Sequence, residues 1–461
     1  MATTNAASFP DEIQRRIDTL NASLCSQTRG TDELLAALAV SQATLSRTIH
    51  AVPGVLQFRV TGVRTPRYGI LRRLPCNLVA HQKVYRITPQ GNVAEVGAVS
   101  LMAGGETLTQ FAAVNRLYVG LPPSMTFAAP SGFLGRQVAH SVAAELQLPE
   151  SLRDWSDDHR AAFLIARGSN LPGDLVFGDS ALAQALDARK AAPIASLNKL
   201  QAYSAMTLAI QSAAVGSSAG GEQPKFLAFT EDKGHVLVKF AALGTRMAKL
   251  LQMECVALEC LAKAGLPCAK AQYLEHFTGH QAHAFLEVER FDRASASGRI
   301  GMVSAGALDD ELFGQRDSWS QFAQRCESSR LLKPASAQRL HTMAAYSELI
   351  ANTDRHFENI SLMLDARGNV RDLAPAYDLL PMKYAPIGGG VDPALSRVAP
   401  KLGSIGGRAD AWAVASIAAT AFWSRCRDDA SLSLSQAMRE LAAENLVVIR
   451  EFVEPLIGRP V

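Results

Sequence analysis

ANTDRHFENISLML, residues 351–364, is the stretch on which the reading of this chain turns. Asn352, Asp354, Arg355, His356, Glu358 and Asn359 crowd together between two apolar elements. A loop that only connects has no need of so many polar groups. Asp354 and Asn359 stand five residues apart, just before an apolar strand. Phosphoryl transfer uses that spacing to set a carboxylate beside the acceptor hydroxyl and an amide oxygen on a metal ion. Mg²⁺ takes hard oxygen ligands, only a few of them from protein. Residues 335–350 read as a helix that buries its apolar face and anchors the loop.

Working outward, LAPAYDLLP (373–381) holds Asp378 as a lone acid in an apolar run, 24 residues past Asp354. Such a carboxylate needs a partner or a metal; the competing explanation is the N-cap of a short helix. Upstream, HVLVKF (235–240) alternates like a strand and carries Lys239. A strand lysine is ordinarily solvent-facing, but a helix with Glu254 follows, and a glutamate-held lysine can fix ATP phosphates. Leu250, Leu251, Val256, Leu258 and Leu261 make that helix amphipathic. FLEVERFDR (285–293) is an apolar strand that ends in charges. It reads either as a hinge whose backbone near Glu289 and Phe291 meets an adenine edge, or as surface ion pairs. GSSAGGEQPKFLAF (216–229) lacks the Walker A pattern, since Pro224 precedes Lys225 and Phe226 follows. Its small residues, Ser218, Gly220 and Gly221 among them, would let backbone N–H groups approach phosphate. By itself it could equally be a plain hairpin.

VERFDR, NTDRHFEN and APAYDLLP in this order resemble the HipA-like serine/threonine kinases of bacterial toxin–antitoxin systems, over about residues 195–400 with weaker features back to about 80. The resemblance implies an α+β architecture with a two-lobed protein-kinase-like fold that uses ATP and Mg²⁺. It makes Asp354 the catalytic aspartate and Asn359 and Asp378 the metal ligands. Lys239, Glu289, Phe291 and His356 join the glycine-rich loop in binding ATP. Ser217 or the adjacent Ser218 becomes the autophosphorylated residue. It also implies a protein substrate such as a translation factor or aminoacyl-tRNA synthetase, and a HipB-like antitoxin as partner.

The first 75 residues differ from the rest: nine arginines, no lysine and five acids give +4, leaving −1 for the other 386. An apolar pattern from Asp11 through Ile13, Ile17 and Leu20 reads as a helix. Thr31 is a plausible N-cap for DELLAALAV, and Ser41 for QATLSRTIHAV. The short break between them suits a helix-turn-helix that presents Gln42, Ala43, Thr44, Ser46 and Arg47 to a DNA groove. VLQFRVTGVRTPRYGILRR (55–73) reads as a wing with Arg64 and Arg67 at its tip. The alternative is a helical docking module with solvated arginines. The expected organisation is a winged helix-turn-helix over 1–75, a small mixed α/β subdomain over 76–190, a kinase N-lobe over 191–295 and a mainly helical C-lobe over 296–461. In the second segment KVYRITPQ and VAEVGAVSLM read as strands about a Gly91–Asn92 turn, and 133–148 as a helix.

The 461 residues allow about three domains, and 48% apolar with 19% charged residues excludes a disordered chain. AWAVASIAATAFW (411–423) is too short for a membrane span and reads as a buried helix. The first residues show no basic segment leading into an apolar run, so no secretory signal is expected. Seven scattered cysteines without C-x-x-C point to buried free thiols. The chain is placed in the bacterial cytoplasm, near the nucleoid if the head reads double-stranded DNA, with a homodimer expected from paired half-sites.

Overall fold

The computed structural model describes residues 9–213, 223–279, 281–387 and 390–458. The chain begins with α1 (Phe9–Ser26), β1 (Arg29–Gly30), α2 (Thr31–Leu38), α3 (Gln42–Ala51), β2 (Val55–Phe58) and β3 (Arg67–Ile70). Leu20, Leu24, Leu34, Leu45, Val52 and Tyr68 form their shared core. Ser41 caps α3 as expected, its hydroxyl accepting from the Thr44 N–H at 3.4 Å. Thr31 does not cap α2. It lies inside the helix, and Gly30 stands at the N-cap, donating its N–H to the Glu33 carboxylate at 2.5 Å. Gly30 is also paired with Arg67 in the β1-β3-β2 sheet, which fixes where the helix can start.

Arg67 is not at a wing tip. It sits in β3, opposite Phe58, and its guanidinium donates to the Thr28 hydroxyl at 3.1 Å and carbonyl at 2.7 Å. Arg64 is exposed in the turn. The hairpin itself is fastened to the next segment: the Thr61 N–H donates to the Asn115 carbonyl (2.9 Å), and the Asn115 amide donates to the Arg59 carbonyl (2.9 Å). Phe58, Met102 and Leu108 are buried together beneath it. Gly104 holds the other side of this junction. Its φ is +78°, and a Cβ there would stand 2.2 Å from the Ser26 carbonyl oxygen. Glycine alone meets both demands.

The second segment is built on β4 (His81–Ile87), β5 (Val93–Leu101), β6 (Glu106–Phe111), β7 (Val114–Val119) and β8 (Leu175–Phe177), with α4 (Pro123–Ala128), α5 (Gly132–Leu146), α6 (Asp157–Arg167) and α7 (Asp179–Asp187). The sheet order is β7-β6-β5-β4-β8, antiparallel throughout. The buried side chains of β4 and β5, Val84, Val99 and Leu101, pack with Met125, Ala139, Val142 and Phe163 of the helices.

The third segment begins with α8 (Lys199–Ala213), β9 (Lys225–Thr230), β10 (Gly234–Ala242), α9 (Arg246–Lys263), β11 (Ala271–Thr278) and β12 (Gln281–Glu289). Its antiparallel sheet runs β11-β12-β10-β9. On one face Tyr203 of α8 meets Phe226 and Phe285 edge-on at 5.4 and 5.6 Å. On the other face lies α9. From Leu250 to Leu258 that helix is buried on every side, and its exposed residues, Glu259, Ala262 and Lys263, come only toward its end. Leu251 and Cys255 pack on the sheet, while Leu250, Met253, Val256, Leu258 and Leu261 enter the helical core that follows.

That core is formed by β13 (Met302–Ser304), α10 (Ala305–Leu312), α11 (Trp319–Ser328), α12 (Pro334–Leu349), β14 (Ser361–Leu364), β15 (Val370–Leu373), α13 (Ala409–Asp428) and α14 (Gln436–Ile457). The AWAVASIAATAFW run falls inside α13, where Trp412, Phe422 and Trp423 are fully buried. No helix among the described residues is long and apolar enough to cross a membrane. All seven cysteines are free; Cys25 and Cys76 are exposed, contrary to the expectation that all would be buried.

Asn115→Ala removes the side-chain hydrogen bond to the Arg59 carbonyl that holds the hairpin. The expected loss is about 1 kcal/mol, or about fivefold more local opening. Limited trypsin digestion should cut at Arg64 correspondingly faster, and an unchanged rate would show that the hairpin is held elsewhere.

Candidate active site

The decisive loop is shaped by its own polar groups. Leu349 ends α12, Ala351 turns the chain with φ +59°, and the buried Asn352 accepts the Asp354 N–H at 3.0 Å. Asn359, also buried, donates its amide nitrogen to the Asp354 carbonyl at 3.0 Å. That bond settles which end of the Asn359 amide is committed and leaves its oxygen for another partner. Phe357 plugs the loop into the core against Phe322 (5.4 Å, edge-on), and the Trp319 indole donates to the His356 carbonyl at 3.2 Å. The Asp354 side chain is 41% exposed.

His356 lies between carboxylates, its Nε2 3.6 Å from Asp354 and its Nδ1 3.3 Å from Glu358. Glu358 is also paired with Arg316. The hydrogen bond to Glu358 raises His356 above its usual range against the opposing effect of burial, and Asp354 adds to it. His356 and then Arg316 hold Glu358 down at about 2.

Lys239 is buried in β10 and donates to both Glu254 oxygens, at 2.8 and 2.7 Å. It also donates to Asp378. Asp378 is therefore not a helix N-cap. It follows β15 with φ +55°, an uncommon conformation for a residue with a side chain. Burial pushes Asp378 up, but Lys239 and then Lys225 outweigh it and hold the carboxyl below its usual range. Burial pulls Lys239 down, yet Asp378 and Glu254 keep it charged. Burial raises Glu254 despite its bond to Lys239. Lys225 gains no role from the sequence, where the Walker A pattern fails around it. It lies directly opposite Lys239 in the β9–β10 pair. Alternation in KFLAF, read against HVLVKF, is the signal that could have found it.

The structure thus brings Lys239, Glu254 and Asp378 into contact, with Asp354, His356 and Asn359 along one loop. Asp354, Asn359 and Asp378 offer hard oxygens of the kind Mg²⁺ takes. Among the described residues no three His, Cys, Asp or Glu side chains converge as a ready metal cage. An ion here would have to draw its remaining ligands from a phosphate substrate and water, which is the habit of Mg²⁺. Ser217, Ser218, Gly220 and Gly221 lie outside the described residues.

Glu289 and Phe291 stand where β12 ends. The Glu289 N–H donates to the Lys270 carbonyl, and the Arg290 N–H to the His235 carbonyl, both at 2.9 Å. The Phe291 ring packs on Tyr377 at 5.5 Å, and Tyr377 in turn donates to the Glu358 carbonyl. The charges of ERFDR are not surface ion pairs. Asp292 is buried, bound by Arg290 at 2.8 Å and Arg293 at 2.6 Å, and accepts the Gly173 N–H at 3.0 Å. Both arginines also reach the Asn170 side chain and the Leu171 carbonyl. This motif clasps the second segment onto the third, a role nothing in its local spacing announces. Gln42, Ala43, Ser46 and Arg47 lie exposed on one face of α3, with Thr44 half-buried and 3.1 Å from Ser41.

Glu358→Gln removes the carboxylate that raises His356. The His356 midpoint, read by NMR of its ring, should fall toward about 6.5. The sign follows: a raised histidine pKa stabilises the loop fully below the unfolded value and loses that contribution as pH rises through the folded one. An unmoved midpoint would refute the pairing.

A model of the HipA-like C-terminal domain matches residues 217–446, and one of the YjjJ-like toxin middle domain matches residues 78–186. The toxin YjjJ of Escherichia coli (strain K12) is 31% identical over 438 residues, which cover 92% of this chain and 96% of that protein. Among solved structures, HipA of Shewanella oneidensis MR-1, in a complex with HipB and operator DNA, covers 82% of this chain and 100% of its own at 17% identity and TM-score 0.46. The Helicobacter pylori proinflammatory kinase CtkA covers 53% of this chain and 92% of its own at 13% identity and TM-score 0.37. With a relative at that identity along nearly its whole length, and with family models matched in its middle and C-terminal parts, this chain belongs to the YjjJ-type family of HipA-like toxins.

Proposed function

We propose that this protein is an ATP- and Mg²⁺-dependent serine/threonine protein kinase acting as a growth-inhibiting toxin, with a winged helix-turn-helix head that binds double-stranded DNA. The observation that carries the kinase reading is the buried Lys239, held by Glu254 and Asp378 beside the Asp354–Asn359 loop. Bound Mg-ATP supplies the transferable phosphoryl group and its charge-neutralising ion. Lys239 holds phosphate oxygens, and Glu254 keeps its ammonium charged and in place. Asn359 and Asp378 present oxygens to the metal. Asp354, open to solvent, orients the acceptor hydroxyl and receives its proton. With the Glu289 N–H spent on the sheet, its carbonyl and the Phe291 N–H are the groups left to read adenine. The substrate is a protein hydroxyl, as on a translation factor or aminoacyl-tRNA synthetase.

In the head, the exposed face of α3 supplies Gln42, Ser46 and Arg47 to a groove, while Arg64 reaches backbone phosphate. Thr44 is tied to the helix start and Arg67 to Thr28, so neither belongs to the reading surface. A homodimer sets two such helices on paired half-sites, with a HipB-like antitoxin as the regulatory partner. A second reading is a DNA-binding regulator whose kinase-like part only senses nucleotide. The direct Lys239–Asp378 ion pair favours it, because it occupies a metal ligand with an internal cation.

With labelled ATP and cell lysate, the wild type should transfer label to protein, and Asp354→Ala should lower the rate by about 10²–10⁴-fold. Nucleotide binding with no transfer above the Asp354→Ala background would establish the second reading instead. For the head, Arg47→Ala in the full chain should weaken duplex binding and relax its sequence preference, and Arg64→Ala should reduce the salt slope by about 1. Binding that is insensitive to salt would remove DNA from the function.

A further inference from the structure

The corner between α10 and α11 is built more firmly than a connection needs. Asp309 is fully buried there. One of its carboxylate oxygens accepts the Gln315 and Arg316 N–H groups at 2.9 and 2.8 Å, and the other takes the Arg325 guanidinium at 2.8 Å. The Asp309 carbonyl accepts the Phe313 and Gly314 N–H groups as well. These bonds hold Arg316 at φ +45°, in the left-handed region that a residue with a side chain seldom enters. Backbone kept in such a conformation points to a side chain that must face one way.

Arg316 faces the Asp354–Asn359 loop. Its Nε and Nη2 grip Asp310 as a fork at 2.7 and 2.6 Å, and the remaining nitrogen, Nη1, donates to Glu358. The guanidinium carbon lies 5.9 Å from the centre of the Phe357 ring, the plug of the loop. The start of α10 makes room for this pair. It is pinned to the strand after the loop, since Ser304 pairs with Ser361 and the Ala305 N–H donates to the Ile360 carbonyl at 2.8 Å. Gly306 then lies under the pair: a Cβ there would stand 2.4 Å from Glu358 Oε1 and 2.6 Å from Arg316 Nη1. Beyond Arg316 the contacts run on to Glu358, then His356 at 3.3 Å, then Asp354 at 3.6 Å. Those three side chains are 50, 48 and 41% exposed, so packing alone does not fix their rotamers.

We propose that Arg316 is a positioning residue for phosphoryl transfer: through Glu358 it sets the His356 ring beside Asp354, and so fixes the carboxylate that meets the acceptor hydroxyl. The chemistry of this proposal rests on the kinase reading; the chain of contacts does not. A planar fork committed to Asp310 on one side presents its last nitrogen to Glu358 in a single direction, which a lysine cannot do. Displacing a reacting group by about 1 Å can lower a rate about 10²-fold.

The test is transfer of label from ATP to lysate protein by the full chain, at varied ATP, with the thermal midpoint of each variant measured alongside. Arg316→Gln should lower the maximal rate about 10- to 10²-fold and leave the KM for ATP unchanged, because Lys239, Glu254 and Asp378 are untouched. Arg316→Lys, with the charge kept and the fork lost, should recover part of the rate. Gly306→Ala keeps every charge and adds a methyl group beneath the pair. The two side-chain ends can move aside, so the fold survives, and the rate should fall in the same way. A full rate in Arg316→Gln, or a raised KM for ATP with the maximal rate intact, would overturn the proposal. If Arg316→Gln does not fold, a full rate in Gly306→Ala overturns it instead. The His356 ring resonances read the same link without turnover: they should shift in both variants, and resonances that stay in place would sink the proposal. A wild type that transfers no label removes the kinase reading, and the resonances then decide the link on their own.

Discussion

The charge cluster of Lys239 with Glu254 and Asp378 is the constraint on which the third segment depends. Lys239 comes from the sheet, Glu254 from the helix behind it, and Asp378 from the irregular chain after β15. A buried ammonium cannot be left alone, and a carboxylate paired with it is costly to lose. The cluster therefore fixes the sheet, α9 and the helical core relative to one another. It also explains the unusual backbone of Asp378, since the position is dictated by a charge partner and not by local preference.

The surrounding hydrophobic packing makes that placement rigid. α9 is covered by the sheet on one side and by the helical core on the other, so the Glu254 carboxylate has no freedom to swing out. The NTDRHFEN loop is anchored at Phe357 and through the Trp319 indole, which hold the backbone while the Asp354 side chain stays open to solvent. The two requirements of such a site, a fixed frame and an accessible carboxylate, are met by different residues of one short stretch. The ERFDR clasp extends the rigidity outward. By binding Asn170, Leu171 and Gly173, it carries the second segment on the end of the strand that would read adenine.

Much of this was legible in the residues. Local polar crowding marked the Asp354–Asn359 loop, and an acid in an apolar run marked Asp378. Strand alternation placed Lys239. The start of α3 was readable because a serine hydroxyl caps locally. Where the reading failed, the missing partner was far away in sequence. Thr31 lost the cap to Gly30, whose strand partner is Arg67, and Arg67 in turn was drawn from solvent to Thr28. Lys225 and the buried side of α9 needed a neighbouring element to become visible.

The sequence by itself determined the order of elements, the polar loop and the concentration of positive charge in the first 75 residues. These depend on hydrogen bonds and periodicities that span a few residues. Only the tertiary structure decided that Asp378 meets Lys239, that ERFDR grips another segment, and that Arg316 meets Glu358. Electrostatic contact and burial are properties of distance in space, and Lys239 and Asp378 share them although they stand 139 positions apart in the chain.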